Sequence, residues 1–242
     1  MFSRHQKALA VLIDPEDTMP GASMTQLMEV VNACGAAYVF VGGSLVTHNH
    51  TDALVRAVKQ QTDKPVILFP GGLNQLSERA DGILFLSLIS GRNPEFLIGK
   101  QVAAAPLLKE MNLPAIPTGY LLIGEASSAS YMSNTQPIPY DKTDIAVATA
   151  LAGEMLGHRV IYLDAGSGAP QPVPAAMISA VRQAVKAPLI VGGGIRSFDA
   201  AYATLEAGAD VIVVGNAAES NPTVLNDIAG AIKAFNSLNI HK

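Results

Sequence analysis

The chain has 242 residues, of which 49% are hydrophobic and 15% charged, and its formal net charge is −4. This composition excludes a disordered chain, and the acidic balance argues against a protein whose affinity comes from contacts along a nucleic-acid backbone. Its single cysteine, Cys34, excludes an internal disulfide; set in an apolar helical pattern, it reads as a core thiol in a reducing compartment.

The opening "MFSRHQKALAVLIDPED" has only a short apolar run, closed by Asp14 and Pro15, and no small-residue cleavage pattern. No stretch reaches the roughly 18 uncharged apolar residues of a membrane span, and the end carries no lipidation motif. The expectation is a cytosolic protein that meets a membrane surface only through a lipid substrate.

In chain order, β-rich apolar runs fall at 10–13, 38–41, 66–69, 83–86, 120–123, 160–163, 189–191 and 211–214. Most are continuously apolar, as expected for parallel strands buried on both faces. Helical patterns lie between them at 25–34, 51–61, 94–111, 144–156, 174–185, 198–207 and 222–238. The interval after the third run, "PGGLNQLSERAD", is too short and glycine-marked for a full crossover helix. Eight strands in this rhythm predict one domain over 1–242, a (β/α)8 barrel of the usual length of about 250 residues, with the helix after strand three reduced or missing. An open doubly wound sheet is the alternative, but no glycine fingerprint follows strand one.

A barrel places its chemistry on the loops after the strands. After strand seven comes "VGGGIRS" and after strand eight "VGNAAES". Glycines there let backbone N–H groups approach an anion, and a following helix start adds partial positive charge. Gly193, Gly194, Gly215 and Asn216 thus form a candidate phosphate seat, although glycines also serve tight turns. Arg196 either supplements that seat or faces solvent.

At the sixth strand end, "YLDAGSGA" places Tyr162 and Asp164 two residues apart, on one face of the strand and toward the lumen. A carboxylate and a phenol there can hold a polyol and take its proton. Gly166, Ser167 and Gly168 then add small groups and N–H donors beside the phosphate. Asp164 capping the next turn is the plainer reading. After strands one and two, Asp14 and Ser44 make a sparse oxygen site that suits Mg²⁺, although turn residues would look the same. His48 and His50 have ligand-like spacing, yet they read as helix-entry or solvent residues.

Together, "LIDPED", "FVGGSLV", "PVILFPG", "PTGYLLIG", "YLDAGSGA", "LIVGGGIRS" and "AGADVIVVGNAAE" resemble the geranylgeranylglyceryl phosphate synthase family, which includes heptaprenylglyceryl phosphate synthases. The resemblance spans nearly the whole chain. It implies a modified (β/α)8 barrel lacking the helix after strand three, and a prenyltransferase that joins sn-glycerol 1-phosphate to a polyprenyl diphosphate with release of diphosphate. By the same resemblance, Tyr162, Leu163, Asp164, Ala165, Gly166, Ser167 and Gly168, with Gly193, Gly194, Gly215 and Asn216, hold glycerol 1-phosphate. Asp14 and Ser44 hold Mg²⁺; on chemical grounds Asp164, with Tyr162, is the catalytic pair that would orient and deprotonate the attacking hydroxyl, and the ring faces of Tyr120 and Tyr162 would stabilise the developing prenyl cation. The space left by the missing helix would take the prenyl tail or be covered by another subunit, since dimers and hexamers both occur in the family.

Two departures stand out. The family usually reads "YLE" where this chain reads "YLD", which retracts the carboxylate of Asp164 by about 1.5 Å, one C–C bond. It also often carries a lysine where this chain has Asp17. The rival functions are a phosphosugar isomerase or aldolase, for which no strand-end lysine is present, and a catalytically weak phosphate-binding barrel.

Overall fold

Eight parallel strands pair in chain order and close on themselves: β1 Ala8–Ile13, β2 Tyr38–Val41, β3 Val66–Leu68, β4 Gly82–Leu88, β5 Ala115–Leu122, β6 Val160–Asp164, β7 Leu189–Gly192 and β8 Val211–Val214. The computed structural model describes residues 2, 4, 6–18, 20–48 and 50–239. Around the barrel run α1 Ala22–Ala33, α2 Thr51–Lys59, α3 Lys100–Glu110, α4 Ser128–Ser133, α5 Thr143–Met155, α6 Ala175–Ala184, α7 Phe198–Glu206, α8 Asn216–Ser220 and α9 Val224–Asn239.

The continuous apolar runs are explained by two buried faces. On β1, Leu9, Val11 and Ile13 pack outward under the helices, while Ala10 faces inward with Phe40, Ile67, Leu84, Ile190 and Val213. The same alternation on β6 sends Ile161 and Leu163 outward and Val160 and Tyr162 into the lumen. Asp164, two residues beyond Tyr162, therefore emerges at the mouth. At the other end, Phe2 packs edge-on against Tyr38 and Phe40, with ring centroids 5.0 and 6.2 Å away.

Between β3 and β4 the expected helix is a single 3-10 turn, Leu73–Gln75. The two strands share only two paired positions, against six between β4 and β5. A side chain of α3 reinforces β4 beside this weak seam. Gln101 donates to the carbonyls of Leu86 and Phe96, the latter lying in a π-helical turn, Glu95–Gly99, that precedes α3.

The expected run at 120–123 proves to be the end of a longer strand. β5 begins at Ala115 and contains Pro117, and that proline hides the strand in the sequence because it removes a ladder donor. Ile123 lies just past β5 and makes an isolated bridge to Ile138. The short helices α4 and α8 had no counterpart among the expected elements.

Candidate active site

One continuous cavity opens at the carboxyl ends of the strands. Asp14, Ser44, Tyr120, Tyr162, Asp164, Gly166, Ser167, Gly168, Gly193, Gly194, Gly215 and Asn216 all line it. Leu163 and Ala165, expected beside them, do not: Leu163 is fully buried on the outer face of β6, and Ala165 packs in the same outer core. Period-two alternation requires this, so those two residues have only backbone to offer a ligand.

Asp164 is 7% exposed, and both of its oxygens are engaged. The phenol of Tyr120 donates to Oδ2 at 2.6 Å, and the amide of Gly166 donates to Oδ1 at 2.9 Å. Burial raises the carboxyl above the ordinary aspartate range, while those two hydrogen bonds favour the ionised form and oppose the rise. Burial, then the neighbouring charge of Asp164, pushes the Tyr120 and Tyr162 phenols well up, so both stay neutral donors.

Tyr120 sits directly beside Tyr162 in the β5–β6 register, and with Phe69 the two rings form an aromatic cluster below the carboxylate. Their centroids are 5.3 Å apart, and Phe69 is 5.6 Å from Tyr120 and 5.3 Å from Tyr162. Tyr120 was expected to face a cation with its ring. In the structure its hydroxyl is committed to Asp164.

The glycine loops have a physical reason to be glycine. Gly193 and Gly194 adopt φ values of 82° and 70°, the left-handed region that side chains disfavour. A Cβ on Gly193 would come within 2.8 Å of the Gly166 backbone, and one on Gly194 within 2.5 Å of Gln171. These loops pack against each other with no room for side chains. Ser167 hydrogen-bonds Asn216, tying the β6 and β8 exits together across the β7 loop. Arg196 lines the same end of the cavity and donates to Ala169 O at 2.7 Å, so it does not simply face solvent.

On the opposite side, the carboxylate of Asp14 occupies the space that a side chain at Gly43 would need. Gln75, 1% exposed, grips Gly43 from both sides: Gly43 N donates to its Oε1 at 3.0 Å, and its Nε2 donates to Gly43 O at 2.8 Å. The 3-10 turn in place of a helix is thus what fixes the β2 exit. Glu219 accepts from the Asp14 amide at 3.0 Å and from the Thr18 hydroxyl at 2.8 Å. Burial lifts Asp14 to about 6; the Glu16 amide opposes this, and the charges of Asp17, Glu219 and Glu16 add to it. An all-oxygen donor set under such carboxylate repulsion fits a hard divalent cation.

Sequence reasoning missed Phe69, Gln75, Lys100 and Glu219. Phe69, Gln75 and Glu219 fell within the quoted runs "PVILFPG", "PGGLNQLSERAD" and "VGNAAES" without being singled out, and Lys100 lay outside the strand-end motifs. His50 is the N-cap residue of α2 and stacks on exposed His48, as expected of helix-entry residues, and no cluster of three His, Cys, Asp or Glu side chains able to hold a metal exists among the described residues. Burial raises the Cys34 thiol, in keeping with a core thiol. Among the described residues no helix is long and apolar enough to cross a membrane.

The sequence model of the PcrB family matches residues 3–235. A geranylgeranylglyceryl phosphate synthase from Chitinophaga pinensis is 51% identical over 230 residues, 94% of this chain and 91% of that protein. One from Spirosoma linguale is 50% identical over 233 residues, 96% and 93% of the two chains. The crystal structure of (S)-3-O-geranylgeranylglyceryl phosphate synthase from Thermoplasma acidophilum, in complex with sn-glycerol-1-phosphate, superposes with a TM-score of 0.91 at 36% identity, covering 96% of this chain and 95% of that one. By sequence along nearly its whole length, and by the barrel with its missing third helix, this chain belongs to the PcrB family of geranylgeranylglyceryl phosphate synthases.

Proposed function

We propose that the protein is a prenyltransferase that joins sn-glycerol 1-phosphate to a polyprenyl diphosphate, geranylgeranyl diphosphate foremost, giving an ether-linked prenylglyceryl phosphate and diphosphate. The observation that carries the reading is the buried Asp164 carboxylate, held by Tyr120 and Gly166 beside the side-chain-free loops of Gly166, Gly193 and Gly194.

Exposed amides on those loops, with Asn216 and Arg196, suit the phosphate of the glycerol substrate. A phosphate fixed there sends the far hydroxyl, the 3-oxygen, toward Asp164. As the O–C bond to the first prenyl carbon forms, the C–O bond to the diphosphate breaks and its electron pair leaves with the diphosphate. The hydroxyl proton passes to Asp164, whose burial-raised pKa makes it a stronger base than an ordinary aspartate. Tyr162, 1% exposed, packs on Tyr120 with ring centroids 5.3 Å apart and so steadies the phenol that holds Asp164.

Asp14 and Ser44 are the side chains that would hold Mg²⁺, with Glu219 behind Asp14. When bound, the ion supplies charge neutralisation for the leaving diphosphate. The prenyl tail is read into the apolar arm of the cavity, lined by Leu73, Leu76, Phe85, Phe96 and Ala104 along the seam that the missing helix leaves open.

The test is an assay with Mg²⁺, sn-glycerol 1-phosphate and prenyl diphosphates of graded length. An organic-soluble prenylglyceryl phosphate is the expected product. Its absence with every donor overturns the reading in favour of a phosphate-binding barrel.

A further inference from the structure

We infer that Lys100 receives the diphosphate of the prenyl donor and carries part of its leaving-group charge, a role that rests on the prenyltransferase reading above. Two cationic side chains, Lys100 and Arg196, line the cavity among the described residues, against three carboxylates, Asp14, Asp164 and Glu219. The reaction brings two anions into this space. Arg196 belongs to the glycine-loop end, leaving Lys100 as the one cationic side chain in the lining for the other anion.

Its anchoring places it on the correct side. Lys100 Nζ donates to Gly71 O at 3.1 Å and sits 4.0 Å from the centroid of the Phe96 ring. Gly71 itself packs on the β2 exit: a Cβ there would lie 2.5 Å from Gly43 O and 2.8 Å from Ser44 O. The ammonium is thus held against the segment that carries Ser44 and is braced by Asp14, at the head of the apolar arm. Gly71 takes one of its three donors and two remain for a ligand.

The chemistry needs such a group. Asp14, Asp17, Glu16 and Glu219 crowd this side with negative charge, so an incoming diphosphate meets repulsion that a single divalent ion only partly offsets. The π-helical turn Glu95–Gly99 immediately precedes Lys100 and sets its position on the helix; such turns recur at functional sites. Negative charge on the diphosphate grows as the C–O bond breaks, so an ammonium in contact with it stabilises the transition state more than the ground state.

The experiment compares Lys100→Met, which keeps length and removes charge, with Lys100→Arg. Loss of one charged hydrogen bond lowers kcat/KM for the prenyl diphosphate by about tenfold in Lys100→Met. The KM for glycerol 1-phosphate stays as in the wild type, and Lys100→Arg recovers most of the loss. A calorimetric titration with inorganic diphosphate and Mg²⁺ shows the same weakening without any turnover. An unchanged kcat/KM for the donor, a raised KM for glycerol 1-phosphate, or unchanged diphosphate affinity overturns the assignment. If the wild type turns over no donor, the functional reading fails instead, and the titration still decides whether Lys100 binds diphosphate.

Discussion

Tyr120 and Asp164 stand on adjacent strands, two residues out of register, and the Tyr120 hydroxyl reaches along the barrel axis to donate to Asp164 Oδ2 at 2.6 Å. The contact is buried and favours the ionised carboxylate, so in the proposed mechanism Tyr120 is a positioning residue for the base. In Tyr120→Phe the ring still packs on Phe69 and Tyr162, but that support is gone. The expected result is a drop in kcat of about tenfold, the scale of one hydrogen bond to a charged group, with KM for glycerol 1-phosphate nearly unchanged.

The pH dependence follows from the same carboxyl. Burial raises its folded-state pKa above the value in the unfolded chain, and the base works only when ionised. Activity therefore falls as pH drops through that raised pKa, at a pH above the usual aspartate range, and Tyr120→Phe moves the acid limb higher still. A profile of kcat/KM against pH checks both points; a limb at the ordinary aspartate position in the wild type would show that Asp164 is not the titrating base.

Asp164→Glu restores the methylene that the family usually has. The longer carboxylate reaches further into the cavity, toward the substrate oxygen, so the variant is expected to retain or exceed wild-type turnover. A misplacement near 1 Å is worth about a hundredfold in rate. Steady-state kinetics on both proteins measure it, and a collapse of turnover in Asp164→Glu would mean that the pocket has been rebuilt around the shorter side chain.

Gly193→Ala places a methyl group 2.8 Å from the Gly166 backbone at a φ of 82°. The strain is on the order of 1–2 kcal/mol, and the loop must move. The KM for glycerol 1-phosphate rises while that for the prenyl diphosphate does not, because the proposed reaction seats the two substrates at opposite ends of the cavity. Kinetics with each substrate varied in turn separate the two.

Gln75→Leu removes the clamp on Gly43 and leaves the Gly43 N–H and C=O without their partners. Stability falls by about 1–3 kcal/mol, and more Mg²⁺ is needed for half-maximal activity, since Asp14 and Ser44 lose their brace. Thermal melts and a Mg²⁺ titration of activity read the two effects.

The barrel was legible because its strands are buried on both faces and so read as unbroken apolar runs between helical patterns. The missing third helix was visible as simple shortage of residues between Phe69 and Asp81. Asp164 and the glycine loops were legible because strand-end position and backbone freedom are local properties. The contacts among distant residues were not. Gln75 lies 32 positions from Gly43, and Glu219 lies 205 from Asp14; nothing in either local pattern announces its partner. Tyr120 was singled out for its ring, but its hydroxyl's bond to Asp164 was not foreseen, since that destination depends on the β5–β6 register. Pro117 concealed the first half of β5.

The most direct test of the account is Asp164→Asn, assayed for ether formation and for glycerol 1-phosphate binding in the same preparation. The side chain keeps an acceptor for the Gly166 amide, and a neutral group is cheaper to bury than a carboxylate, so the fold should melt no lower than the wild type. The expected result is wild-type affinity for glycerol 1-phosphate with prenyl transfer reduced by at least about a hundredfold. Prenyl transfer at the wild-type rate in Asp164→Asn would contradict it.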